Sequence, residues 1–192
     1  MLSDAAAREV LRSVWVKAAG CPADDNSLTV AGAIGRSEGQ YGAAFGGINN
    51  WGAIQTAHPS GNDVQIDEYN PNRNPPEIRA WVKAYATPAD GAYALLRELV
   101  RRKGVQAAMK RGDWAGTATA MYDSGYYTTR SKDRATAISQ YTGWIKSAGD
   151  KIIAAIGIPI RAAAGRGGAL AIVIAFLGLS LTAAYLNRRA TT

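Results

Sequence analysis

Residues 26–42, NSLTVAGAIGRSEGQYG, decide how this chain is read. Leu28, Ala31 and Ile34 recur at helical spacing, which predicts a helix with a buried stripe, capped by Asn26 or Ser27. The stripe runs into Ser37-Glu38-Gly39, so a lone carboxylate stands at the end of that helix. Gln40-Tyr41-Gly42 follows at once. A carboxyl held at a helix end against apolar surface keeps its proton to higher pH, because burial penalises the anion. The stretch therefore predicts both a helical core and a candidate acid.

Further helices lie on either side. Val10, Leu11, Val14, Trp15 and Ala18 share one face of a helix that Gly20-Cys21-Pro22 stops. From Gly39 to Pro76 the chain is rich in Gly, Asn and Pro around Val64-Gln65-Ile66, whose alternating polarity predicts a small hairpin. After Pro75-Pro76 the spacing of Ile78, Trp81, Val82 and Tyr85 predicts a return to helix. Thr87, Pro88 and Asp90 mark the start of the next one, which Tyr93, Leu96, Leu99 and Val100 carry to Gly104. Asp113 caps a short helix ending at Gly125, and Ser131 opens a long one with Ile138, Tyr141 and Ile145 facing the core.

The domain is expected to end near Trp144, at residues 1–145, and to be followed by an amphipathic linker helix at 146–166. Gly167 to Leu186 is twenty residues without a charge, flanked by Arg161, Arg166, Arg188 and Arg189. This predicts a single transmembrane helix at 167–187, since roughly 20 apolar residues cover a bilayer core of about 30 Å.

The charge distribution narrows the partners. Residues 1–145 carry 16 Lys and Arg against 14 Asp and Glu, whereas residues 146–192 carry 6 against 1. The basic excess flanks the apolar run, so a lipid surface explains it better than nucleic acid, for which no specific binding is expected. One cysteine excludes an internal disulfide and a cysteine-rich metal site; Cys21 reads as a packed side chain and His58 as a loop histidine. Asp4, Arg8 and Glu9 interrupt the N-terminal residues before any run long enough for a signal peptide. No metal or cofactor is expected.

Five segments in order resemble the glucosaminidase-type peptidoglycan hydrolases, relatives of the lytic transglycosylases. Glu38-Gly39-Gln40-Tyr41-Gly42 resembles their catalytic Glu followed by an aromatic residue and Gly. Asn50-Trp51-Gly52-Ala53-Ile54-Gln55 is similar to their Asn-Leu-Phe-Gly-Ile-Lys segment and to the Gly-Leu-Met-Gln of the transglycosylases. Asp67-Glu68-Tyr69 resembles the hairpin Thr-Glu-Tyr, Ile78 to Tyr85 the stretch Phe-Arg-Ala-Tyr, and Gly125-Tyr126-Tyr127-Thr128 the Gly-Tyr-Ala-Thr.

The resemblance covers about residues 30 to 130 and implies a mainly α, lysozyme-like helical domain with a small β-hairpin lobe. It implies cleavage of the glycan strands of the bacterial wall, with Glu38 as catalytic acid, Glu68 as the second carboxylate and Tyr126 as a substrate-binding tyrosine. Breaking a glycosidic bond needs a proton on the leaving oxygen, and a second carboxylate activates water or stabilises the oxocarbenium-like transition state. Tyr41, Trp51 and Ile54 are expected to wall the site, and Asn50 and Gln55 to orient sugar or carboxyl by hydrogen bonds. Trp51, Gln55 and the shortened hairpin depart from the family, which leaves glucosaminidase, muramidase and transglycosylase chemistry open. A wall-cutting domain on a membrane span without an export signal suits a phage virion, either in an internal membrane or among ejected proteins. There it would neighbour other virion proteins and act in the periplasm or cell wall during genome entry. The alternatives are a host membrane-anchored hydrolase of a secretion or flagellar apparatus, and a non-enzymatic virion scaffold of the same fold.

Overall fold

The computed structural model describes residues 1–69, 77–127, 131 and 133–161. Helix α1 (Asp4–Ala19) starts where the Ser3 hydroxyl accepts the Ala6 N–H and buries Ala7, Leu11 and Trp15, one residue per turn. Helix α2 (Asp25–Gly39) is the centre of the molecule, buried without interruption from Asn26 to Gly35. Its cap is Asp24, whose carboxylate accepts the Ser27 N–H, rather than Asn26 or Ser27. Asn26 is instead buried and ties distant segments together, donating to the Lys110 and Arg161 carbonyls and accepting the Arg161 N–H.

After α2 come a 3-10 turn (Gln40–Gly42) and a single turn, α3 (Ala44–Gly47), and the chain then doubles back across the end of α2. A Cβ on Gly39 would lie 2.1 Å from the Asn50 carbonyl oxygen, so only glycine lets the two backbones pass.

Three strands follow: β1 (Gln55–Thr56), β2 (Val64–Tyr69) and β3 (Glu77–Val82). They form an antiparallel sheet in the order β1-β3-β2, with Gln55 opposite Val82, and β2 paired along β3 from Val64–Val82 to Tyr69–Glu77. The helix expected at Ile78 to Tyr85 is corrected to this central strand. Ala80 and Val82 are buried, whereas Arg79 is exposed and Trp81 partly so, an alternation with the period of a strand. The spacing of Ile78, Trp81, Val82 and Tyr85 also fits a helix, but β1 and β2 satisfy the backbone of this short β-branched and aromatic run. The expected hairpin is thus a three-stranded sheet.

Helix α4 (Pro88–Val100) opens as its sequence predicts, with the Thr87 hydroxyl accepting the Asp90 N–H and Pro88 in the first turn. It packs on α1 and presents Leu95, Leu96 and Leu99 to the core. A short α5 (Val105–Lys110), not anticipated from the sequence, precedes α6 (Trp114–Asp123), whose cap is Asp113. Helix α7 (Arg134–Ile156) is capped by Asp133 rather than opened by Ser131 and lies along α2. It runs unbroken past residue 145, with Ala148, Gly149 and Ile152 buried, so the linker boundary expected at 145/146 falls inside a core helix. Residues 1–161 form one unit. The expected fold class is corrected in a second respect: among the described residues no helix is long and apolar enough to cross a membrane. The segment 167–187, for which a span was expected, lies outside the described residues.

Candidate active site

Glu38 occupies the last turn of α2, where the buried stripe of that helix reaches the surface. Burial raises its carboxyl above the ordinary carboxylate range, and a hydrogen bond from Tyr141 partly offsets this. The Tyr141 hydroxyl, on α7, donates to Glu38 Oε1 at 2.6 Å. Oε2 takes no partner among the described residues. Burial, reinforced by the Glu38 charge, also raises the Tyr141 hydroxyl well above its usual value, so it acts as a fixed donor and not as an acid. Its ring is held by stacking on Tyr127, with centroids 3.9 Å apart and planes at 11°.

The carboxyl opens on a cleft of about 470 Å³ between the helices and the sheet. Of the residues expected in the site, Glu38, Gln55, Glu68 and Tyr126 line it, as does Ile54. Gln55 and Glu68 reach it from β1 and β2 and are joined at the rim, Gln55 Nε2 donating to Glu68 Oε2 at 2.7 Å. Tyr126 forms part of the wall. Its hydroxyl points at the Gly52 carbonyl, 3.4 Å away, and the Arg102 guanidinium lies 5.0 Å over its ring, so one face of that ring is already covered.

The structure takes the other three expected residues out of the cleft. Tyr41 is buried, packs against Trp51 with ring centroids 5.2 Å apart, and donates its hydroxyl to Asp4. Trp51 is wholly buried between α2 and α4 and fills the space that Gly35 leaves. Asn50, also wholly buried, makes four hydrogen bonds: its amide donates to the Ile54 and Lys83 carbonyls and its oxygen accepts the Gly52 and Ile54 N–H groups. With no polar atom left for a sugar, Asn50 acts by shaping the loop that presents Gly52 to Gln55.

Two participants were not foreseen. Tyr141 has the spacing of a core residue, which it is for its ring but not for its hydroxyl. Trp144 read as the end of the domain, yet it borders the cleft beside Glu38 with 59 % of its surface exposed. Its only signal was a large aromatic three residues after a core tyrosine, on a face the pattern does not orient. Glu98 also lines the cleft, but Arg101 and Arg102 both pair with it, which makes it part of an ion cluster and not a free base. Cys21, expected to be packed, is exposed.

No family model, no curated protein and no solved structure matches this chain.

Proposed function

We propose that this chain cleaves the glycan strands of peptidoglycan, with Glu38 as the general acid. The observation that carries the proposal is the Glu38 carboxyl itself: one oxygen is fixed by Tyr141, the other takes no partner among the described residues, the residue lines an open cleft, and burial favours the protonated form. Such an acid keeps its proton to higher pH than an exposed carboxylate and can deliver it to the leaving oxygen of a glycosidic bond. Glu68 stands on the sheet side of the same cleft and takes the role of the second carboxylate, with Gln55 fixing one of its oxygens so that the other can direct a water. The exposed indole of Trp144 offers a flat apolar face for a sugar ring. The order of segments resembling wall hydrolases points to the same chemistry.

The test is to incubate the full chain, and the chain carrying Glu38→Gln, with purified sacculi. Turbidity loss and soluble glycan fragments are expected from the former only, and the mass of the new sugar end identifies which bond is cut and whether water or an internal hydroxyl attacks. Intact sacculi after prolonged incubation with well-folded protein overturn the proposal.

A further inference from the structure

Glu38 borders two depressions. Besides the sheet-side cleft, a second of about 390 Å³ lies between the end of α2 and the middle of α7, and the two share Glu38, Tyr141 and Trp144. The carboxyl therefore sits at a junction. The second depression is built largely from one face of α7: Trp144, Ser147, Ala148 and Lys151 recur at the helical repeat and span about 10 Å along the axis. Arg36 and Ser37 from α2 close its other side.

The charges there are unequal in their freedom. The Arg36 guanidinium is neutralised by Asp4, which also accepts the Tyr41 hydroxyl. Lys146, on the same helix but outside the depression, is paired with Asp150 at 2.8 Å. Lys151 has no ion pair or hydrogen bond among the described residues. The depression thus combines an exposed aromatic face, the Ser37 and Ser147 hydroxyls and one cation without an ion pair among the described residues, beside the Glu38 carboxyl.

We propose that this second depression is a subsite for a sugar residue bearing an acidic substituent, Trp144 stacking on the ring and Lys151 meeting a carboxylate of that substituent. The proposal rests on the glycosidase reading and deepens it by naming which part of the substrate lies on the α7 side. Peptidoglycan strands alternate a neutral amino sugar with one carrying an acidic lactyl-peptide substituent, and this pocket takes the second. The strand would then cross Glu38 with its neutral sugar on the sheet side and its acidic one on the α7 side, and be cut within its length.

The experiment measures binding by calorimetry, using the full chain with Glu38→Gln to prevent turnover. The probes are soluble glycan strands with intact peptide stems and, as the neutral comparison, chitooligosaccharides. Adding Lys151→Gln is expected to lower the preference for the acidic strands about tenfold, the worth of one charge-assisted contact. Lys151→Arg should keep most of the preference, Trp144→Ala should weaken both ligands, and Lys146→Gln should change neither. Residues 144, 146 and 151 are all exposed, so these variants are expected to keep the melting profile of the parent. Equal binding of both probes, no binding of either, or a preference untouched by Lys151→Gln overturns the subsite. Sacculus cleavage by the unmutated chain, run in parallel, separates the two ideas: cleavage without a Lys151 effect removes only the subsite, and Lys151-dependent binding without cleavage removes only the glycosidase.

Discussion

At Glu38 the same physics sets the proposed acid role and stability against each other. Burial raises the folded-state pKa above the unfolded one, so the proton is held more tightly when the chain is folded. The associated stability is complete below the unfolded pKa and is lost as pH rises through the raised, folded pKa. Glu38→Gln removes this titration while keeping volume and a partner for Tyr141. Its melting temperature should therefore exceed that of the wild type by a margin that widens as pH climbs through that window and then levels off. Wall cleavage should fall on the order of 10² to 10⁴-fold, the usual worth of an acid catalyst. Thermal melts across pH and turbidity assays check both, and a margin that narrows with rising pH contradicts the burial argument. Tyr141→Phe tests the partner. The Tyr141 hydrogen bond favours the anion, so its loss should move the alkaline limb of the activity profile to higher pH, with no change in fold because the ring is retained. A limb that stays put or moves down shows that the hydroxyl does not set the proton on Glu38. Glu38 was legible in the sequence because a carboxylate ending a buried stripe is drawn out of water by that stripe, which ties its position to its proton. Asn50, Trp51 and Tyr41 were legible as a group near it but not by role, since a short loop segment gives no sign of which side chains turn inward.

Between elements, the site depends on how closely the chain can recross the end of α2. The Gly39 Cα faces the backbone of Asn50 and Trp51, and Gly91 on α4 meets the Asn49 carbonyl, where a Cβ would come within 1.7 Å. These contacts clamp residues 49–52 between two helices, and that clamp aims Gly52 to Gln55 at the cleft. Gly39→Ala should cost roughly 3 kcal/mol, at the upper end of overpacking because the obstacle is backbone. It should also lower cleavage, by shifting Glu38 relative to Gln55. Denaturant unfolding and the sacculus assay check this, and a midpoint within error of the wild type means that the loop yields freely. The helices were readable from caps and stripes, as at Thr87-Pro88 and Asp113, because those signals are local. Strand β3 was not, since Ile78, Trp81 and Val82 lie at helical spacing and the decision rests on pairing with β1 and β2, which the spacing within β3 does not show.

For the molecule as a whole, the question is where the folding unit ends. The change of composition after Trp144, toward Ala, Gly and Ile, resembles a linker because small residues make a weak stripe. In the structure those residues let α7 lie close on α2 and α6: a Cβ on Gly149 would lie 2.2 Å from the Trp114 ring, and Ile152 packs where Gly32 leaves room. Removing residues 146–161 would take Ile152 and Ala148 out of the core and leave Asn26 without its hydrogen bonds to Arg161. Loss of a buried isoleucine costs about 2 to 5 kcal/mol, and each hydrogen bond about 1 kcal/mol. Against a total stability on the order of 5 to 15 kcal/mol, that is enough to unfold the remainder. Residues 1–161 should therefore unfold in one cooperative transition with sacculus cleavage retained, whereas residues 1–145 should show no cooperative transition and no activity. Urea titrations followed by tryptophan fluorescence distinguish the two. Matching midpoints would mean that the second half of α7 is carried by the domain without supporting it.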